Sequence, residues 1–187
     1  EIAFGLENIG VDREEIITKV MNIITLLGIE DFMFKHPLEL SGGQRQRVAL
    51  ASIIVQDPDI IVIDEPTSQL DPKGTEEVFE IIKYLNLQKK TIVLVEHKMD
   101  LIAEYAEHVV YLDEGSVLLD GSPDEVLSNK ILYEKNLDMP QVANLGFQAR
   151  SKGFFVEEIP TTVDKTLKTF IKSKEKAKDR GDDYGVS

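Results

Sequence analysis

The 187-residue sequence contains no cysteine. Disulfides and thiolate metal sites are therefore excluded, which suits a cytosolic protein. No apolar run approaches the ~18 residues that a membrane-spanning helix requires. The formal net charge of −13 argues against a broad nucleic-acid-binding surface. The length is sufficient for one hydrophobic core and a small appendage.

A phosphate-binding pattern is also missing. No stretch fits Gly-x-x-x-x-Gly-Lys-Ser/Thr, the loop whose backbone N–H groups surround phosphates. Another segment nevertheless suits an anionic ligand. Ser41, Gly42, Gly43 and Gln44 open an amphipathic helix, and so present a hydroxyl, accessible N–H groups and a positive helix end.

Two helices are predicted in the first third of the chain. Residues 12–15 have a capping-box pattern, apolar residues follow at helical spacing, and Gly28 supplies the stop. Because Pro37 pushes the preceding residue out of helical geometry, His36 is expected in a loop rather than as a ligand. The second helix is expected from Ser41 to about Val55.

The middle of the chain predicts an α/β unit. Residues 60–63 and 91–95 are apolar runs without polar alternation, as expected of parallel strands covered on both faces. A helix beginning at Asp71-Pro72 lies between them, which makes a right-handed crossover. The runs end in Asp64-Glu65 and Glu96-His97. Ligands bind beyond the carboxyl ends of strands in such sheets, so these side chains should converge on one edge.

The remaining sequence predicts smaller elements. Residues 99–106 suit a helix, 109–119 two short strands around a glycine turn, and Ser122 a capping box. Pro140 and Thr162 are candidate helix starts. Residues 172–187 are charged and contain glycine, which is typical of a frayed or disordered tail.

Four motifs in one order carry a family resemblance. They are the segment 40–44, the strand 60–65, the segment 68–71 and His97. In this order and spacing they resemble the signature, Walker B strand, D-loop and switch histidine of an ATP-binding cassette (ABC) transporter ATPase subunit. The resemblance implies a partial P-loop NTPase fold of the α/β class, with a mostly parallel sheet and a helical subdomain that carries the signature.

The resemblance also implies a domain organisation. Residues 1–132 would be the C-terminal part of an ABC ATPase domain, with a helical subdomain at about 8–56 and a Walker B to histidine core at about 57–132. Residues 133–187 would be a small helical extension. The P-loop strand, its helix and the Q-loop glutamine would lie upstream of Glu1, the alternative being a processed or tagged start.

The amino-acid sequence of the C-terminal extension indicates a subtype of ABC ATPase. Residues 137–142 and 152–154 resemble the C-terminal extension of energy-coupling-factor ATPases, which serve vitamin and metal-ion importers. The complete protein would then hydrolyse ATP with Mg²⁺ and power transport of a small solute through separate transmembrane subunits, at the cytoplasmic face of the membrane. Because residues that hold the α- and β-phosphates are absent, the 187-residue chain alone is expected to be inactive.

The resemblance gives roles to three strand-end residues. Asp64 would hold Mg²⁺ through water, since hard cations take oxygen ligands. Glu65 would position or deprotonate the attacking water, and His97 would contact the γ-phosphate and orient Glu65 or the water. The plainer alternatives are a helix or turn cap for Asp64, a surface carboxylate for Glu65 and a structural histidine.

The resemblance also implies a second ATPase subunit, identical or paralogous. Ser41, Gly42, Gly43 and Gln44 would cap the nucleotide held by that partner, the alternative being an ordinary Ser-capped helix. Ser68 and Asp71 of the D-loop would couple the two sites. Two residues depart from the family's pattern: Gln69 replaces the usual alanine of the D-loop, and Ser52 an arginine common in the signature helix.

Other functions stay open at this level. A non-transport ABC ATPase acting on DNA or ribosomes is one alternative, although a single compact helix without heptads precedes the signature and the charge balance is acidic. No nucleic-acid partner is therefore expected. A fragment that acts only as a dimerisation or regulatory module is the other alternative.

Overall fold

The computed structural model describes residues 1–68, 70–154, 156–169 and 171. The chain divides into two compact units, Glu1–Glu96 and His97–Ser187. The tail that the sequence predicts to be disordered, 172–187, lies outside the described residues. Within the described part, no helix has the length and apolar character needed to cross a bilayer.

The first unit combines helices with a two-stranded parallel sheet, as the sequence predicts. Short 3₁₀ turns at Glu30–Phe32 and Pro37–Glu39 join two of its helices. Its regular elements are α1 (Phe4–Asn8), α2 (Arg13–Leu27), α3 (Gly42–Ile54), β1 (Ile60–Asp64), α4 (Pro72–Leu87) and β2 (Thr91–Val95).

Helix ends in this unit follow the local sequence. Asp12 caps α2 by accepting a hydrogen bond from the Glu14 N–H, and Gly28 ends α2 in the left-handed region that glycine adopts without a steric penalty (φ +59°). Glu15 pairs with Lys19 at 2.8 Å. His36 is the N-cap of the second 3₁₀ turn, with its Nδ1 accepting from the Leu38 N–H, so its predicted loop position is confirmed.

Among the described residues of this chain, side chains cover one face of the sheet, which differs from the expectation of two covered faces. Strands β1 and β2 pair in parallel register, with Ile60 opposite Thr91 and Asp64 opposite Val95. Ile61 and Ile63 are buried against α2, α3 and α4, whereas Ile60 and Val62 are 63% and 66% exposed. The side chains of β1 therefore alternate between a packed face and an open one although all four residues before Asp64 are apolar.

The second unit contains an antiparallel hairpin and short helices. Strands β3 (Val109–Asp113) and β4 (Ser116–Gly121) are joined at Glu114 and Gly115, both with positive φ. The helices are α5 (Met99–Tyr105), α6 (Pro123–Leu127), α7 (Lys130–Glu134) and α8 (Gln141–Ser151). A further helical segment covers 163–169. The Tyr133 and Phe147 rings stack 5.0 Å apart, which packs α7 against α8.

Asp124 ties the last helical segment to α6. Its carboxylate accepts hydrogen bonds from the buried Thr161 hydroxyl and from the Lys165 ammonium. Both partners lower the pKa of Asp124 below its ordinary value because they favour the charged form, and the hydrogen bond from Lys165 has the larger effect.

Substitutions at adjacent residues of β1 test the one-sided burial. Ile61→Ala should lower the free energy of unfolding of the chain by about 2–5 kcal/mol, because it opens a cavity in the core. Val62→Ala should lower it by less than about 1 kcal/mol, because that side chain faces outward. Urea unfolding followed by circular dichroism measures both, and equal large losses would contradict a sheet with one open face.

The Asp124 contact should make stability depend on pH. A depressed pKa in the folded state stabilises the fold above the ordinary carboxyl pKa of about 3.9, and this stabilisation is lost as pH falls through the folded-state value. Because the pair is largely exposed, Lys165→Met should lower the free energy of unfolding by at most about 1 kcal/mol near neutral pH and by nothing in acid. Lys168→Met, on the same helix, is the matched control, and an equal loss in both variants would exclude the contact.

Candidate functional site

The predicted carboxylates lie at the carboxyl end of β1. Asp64 is the last residue of the strand and Glu65 follows it, and both side chains are exposed. The register places Asp64 opposite Val95. Because side chains alternate along a strand, Asp64 shares the open face with Val62, and its carboxylate is therefore accessible to a ligand.

The backbone of Glu65 adopts an uncommon conformation. Its φ is +43°, in the left-handed region that side chains other than glycine seldom occupy. The Glu65 N–H donates to the Val95 carbonyl at 2.9 Å, and the Glu65 carbonyl accepts from the Ser68 N–H at 3.3 Å. Both peptide groups that flank this conformation are thus held by hydrogen bonds.

The turn after Glu65 is buried at its centre. Pro66 and Thr67 are both less than 2% exposed. The Thr67 hydroxyl donates to Oε2 of Glu96 at 2.7 Å, which connects the turn to the residue that follows β2. Sequence reasoning missed this contact. In the parallel register each residue of β1 lies opposite the residue 31 positions later, as Ile60 does opposite Thr91, so a correct register would have placed Glu96 next to Glu65. The sequence pattern contains no signal that links the Glu96 side chain to Thr67.

The predicted D-loop leads from this turn into α4. Asp71 is the N-cap of α4, and its carboxylate accepts from the Gly74 N–H at 2.8 Å. The exposed Ser68 lies in the turn itself. Asp64, Glu65, Ser68 and Asp71 therefore belong to one continuous strand-turn-helix segment. Gln69 lies outside the described residues.

The predicted signature forms the start of α3. Ser41 is the N-cap: its hydroxyl accepts from the Gln44 N–H at 3.3 Å, while the Gln44 side chain accepts from the Ser41 N–H at 3.0 Å. Helix formation therefore uses both side chains. The helix start is at the same time a place where backbone N–H groups accumulate without helical acceptors, which favours an anion.

The signature and the D-loop are in contact. A Cβ atom at Gly43 would lie 2.8 Å from Cδ2 of Leu70, closer than such atoms approach one another. Glycine at this position lets the Leu70 side chain rest on the start of α3. Close packing against Leu70 of the predicted D-loop therefore explains glycine at position 43, whether or not this helix start binds a nucleotide.

An ion pair also connects α3 with α4. The Arg47 guanidinium donates to the Glu77 carboxylate, with both side chains partly buried. Arg45 donates to the Leu40 carbonyl at 2.6 Å and holds the residue that precedes the signature serine. These contacts fix the orientation of the signature helix within the first unit.

His97 begins the second unit and is exposed. In sequence it directly follows Glu96, whose carboxylate accepts from Thr67. Its predicted role at a γ-phosphate stays a prediction.

The described residues contain no group of three or more His, Asp or Glu side chains that could enclose a metal ion. The strand-end carboxylates, Asp64 and Glu65, supply oxygen atoms only. A hard cation bound by Asp64 would have to complete its coordination with water and ligand oxygens, which is how Mg²⁺ commonly binds beside phosphates.

Comparisons with known proteins agree with this arrangement. The family model described as ABC transporter matches residues 6–68. The Energy-coupling factor transporter ATP-binding protein EcfA2 of Streptococcus thermophilus is 39% identical over 173 residues, which are 91% of this chain and 62% of that protein. A putative ABC transporter ATP-binding protein of Pyrococcus horikoshii is 40% identical over 89% of this chain and 59% of its own length.

Solved structures give the same result. CbiO1 from Clostridium perfringens, part of the ABC transporter complex cbiONQ, superposes with a TM-score of 0.64 at 32% identity, covering 80% of this chain and 59% of CbiO1. The dimeric structure of MJ0796, a bacterial ABC transporter cassette, superposes with a TM-score of 0.55 at 34% identity over 61% of this chain and 50% of that one.

The chain spans about three fifths of the length of the curated relatives it matches, 62% for EcfA2 of Streptococcus thermophilus. The matching segment includes the signature and the Walker B strand, whose geometry is that of a capped helix start and a strand-end pair of carboxylates. On the combined evidence of fold, motifs and relatives, the chain belongs to the family of ABC transporter ATP-binding proteins.

Proposed function

We propose that this chain is part of an ATP-hydrolysing subunit that powers transport of a small solute through separate transmembrane subunits. The observation that carries this proposal is the position of Glu65: a carboxylate at the end of a sheet strand, with its backbone held by Val95 and with the signature helix in contact with the next loop. The similarity to EcfA2 and to CbiO1 of an ABC transporter complex supports a role in transport. That the solute is a vitamin or a metal ion is our proposal from the resemblance of residues 137–142 and 152–154 to the C-terminal extension of energy-coupling-factor ATPases.

Glu65 is the proposed base of the hydrolysis. Its carboxylate would accept a proton from, or orient, the water that attacks the terminal phosphate. The exposed position beyond the strand leaves room for that water. His97 would hydrogen-bond the γ-phosphate, since an imidazole can donate to one partner and accept from another.

Asp64 would hold Mg²⁺ through a water molecule. The carboxylate oxygens of Asp64 and their exposure on the open face of β1 fit a hard cation that takes its other ligands from water and phosphate. When bound, Mg²⁺ neutralises phosphate charge that develops during transfer. Asp64 itself would fix the position of the bound ion at the edge of the sheet.

The signature would act on the nucleotide of a second ATPase subunit. Ser41 and Gln44 use their side chains to cap α3, so the N–H groups at residues 42 and 43 and the positive helix end remain for an anion. The contact of Leu70 with Gly43 would pass a movement of this helix to the D-loop, where Ser68 and Asp71 are the proposed coupling residues. MJ0796 in its dimeric structure is a similar cassette that associates in pairs.

The partners follow from this function. We propose a second ABC ATPase subunit and membrane-embedded transport subunits, with the protein held peripherally at the cytoplasmic face of the membrane. No nucleic-acid partner is proposed, because the chain carries a formal net charge of −13.

Replacing the proposed base should separate binding from hydrolysis. In the complete protein, Glu65→Gln should leave ATP binding unchanged and lower the turnover number at least about 100-fold, since the amide cannot accept the proton. Glu76→Gln, an exposed glutamate on α4, is the matched control and should keep full turnover. Nucleotide binding by fluorescence and phosphate release by colorimetry give both quantities, and retained turnover in Glu65→Gln would refute the assignment.

Two substitutions of Ser41 distinguish its capping role from its ligand role. Ser41→Asp should preserve the cap, because aspartate is as good an N-cap as serine, whereas Ser41→Ala should lower stability by about 0.5–2 kcal/mol. Ser41→Asp adds a negative charge at the proposed anion site. It should therefore reduce turnover of the complete protein more strongly than Ser41→Ala does. Ser52→Ala, in the same helix, controls for a lost hydroxyl. Normal turnover in Ser41→Asp would mean that no phosphate approaches this helix end.

A further inference from the structure

Two residues outside the family motifs hold the turn that carries Glu65. Thr67, which is 1% exposed, donates its hydroxyl hydrogen to Oε2 of Glu96 at 2.7 Å. Glu96 directly follows Val95, whose carbonyl accepts from the Glu65 N–H. The last residue of β2 and the residue after it therefore bind both ends of the three-residue segment from Glu65 to Thr67.

This double attachment matters because the segment is strained. A residue other than glycine is sterically disfavoured in the left-handed region, and such conformations persist only where the surroundings impose them. Glu65 has φ +43°. If the segment relaxed to a negative φ, the direction of the Glu65 side chain would change relative to the end of the sheet.

The contact between Thr67 and Glu96 is strong for a hydrogen bond between side chains. Its acceptor is a carboxylate, and hydrogen bonds to ionised groups are about twice as strong as neutral ones. The donor is buried, and a hydrogen bond is electrostatically stronger in a buried environment than in water. The contact therefore resists movement of the turn away from β2.

We propose that Thr67 and Glu96 are positioning residues for Glu65, keeping its backbone left-handed so that its carboxylate stays aligned with the attacking water. This inference rests on the proposed role of Glu65 as the base. Neither residue touches the reacting atoms in this proposal. Their effect is on the direction of the Glu65 carboxylate, so loss of the contact should slow the chemical step and leave nucleotide binding intact.

The decisive variants are Thr67→Val and Thr67→Ser in the complete protein. Valine keeps the shape and removes the donor, and we expect kcat to fall about 10- to 100-fold with an unchanged KM for ATP, the loss typical of a misplaced catalytic group. Serine keeps the donor and should restore most of kcat. Thr75→Val, another buried threonine in the same unit, is the matched control and should change kcat less than about 2-fold.

A second variant covers the case in which Thr67→Val does not fold. Glu96→Gln retains an acceptor oxygen but loses the charge, and it should lower kcat about 3- to 10-fold with unchanged KM. A crystal structure of either variant gives a direct structural readout. In it the φ of Glu65 should leave the left-handed region, or the segment from Glu65 to Thr67 should be disordered.

The outcomes separate this inference from the proposed function. If Glu65→Gln abolishes turnover while Thr67→Val and Glu96→Gln keep wild-type kcat, the positioning role is wrong and the base assignment stands. If Glu65→Gln retains turnover, the assignment of Glu65 as the base is wrong, and the positioning role of Thr67 and Glu96 falls with it. A fall in kcat that Thr67→Ser does not recover would also overturn the positioning role, because the hydroxyl would then not be the group that matters.

Discussion

The Glu65 N–H donates to the Val95 carbonyl, and this bond continues the parallel pairing of β1 and β2 beyond the last regular pair of residues. The rest of the candidate site depends on it. Asp64 lies on the open face of the sheet because it belongs to β1, and Glu65, which donates this bond, has a left-handed backbone. The pairing thus places two adjacent carboxylates at one sheet edge, where the crossover topology of α/β proteins commonly positions ligand groups.

The signature helix depends on the same region through packing. Leu70 approaches Gly43 so closely that a Cβ atom would not fit, and the partly buried pair of Arg47 and Glu77 joins α3 to α4. The capping box of Ser41 and Gln44 fixes where α3 begins, and the backbone N–H groups of its first turn have no acceptor within the helix. One short segment after β1 is therefore hydrogen-bonded to the backbone carbonyl of Glu65 and in contact with the proposed trans-acting helix, which would provide a physical basis for the proposed coupling of two nucleotide sites.

Much of this arrangement could be predicted from local sequence. Ser41, Gly28 and Ser122 set helix ends by capping chemistry, and the apolar runs of β1 and β2 were placed correctly with their parallel crossover. Four consecutive apolar residues also predict a sheet covered on both faces, but periodicity cannot tell which segment covers a face. In the described part of this chain Ile60 and Val62 are exposed. The bond from Thr67 to Glu96 and the contact of Leu70 with Gly43 were also out of reach, since both depend on side chains brought together by tertiary packing. The boundary at 132 and the role of His97 stay predictions.

The central claim is that Ser41 and Glu65 of one chain serve different nucleotides, and mixing two inactive variants of the complete protein tests it most directly. Ser41→Asp and Glu65→Gln should each strongly lower single-turnover hydrolysis when assayed alone. If sites form between two copies of this chain, random pairing at equal amounts makes about half of the dimers mixed, and each mixed dimer has one site with both residues intact. About one quarter of all sites should therefore regain hydrolysis. If mixed dimers form, as different affinity tags on the two variants verify, and restore no hydrolysis above either variant alone, both residues of one chain act on the same nucleotide and the account is contradicted.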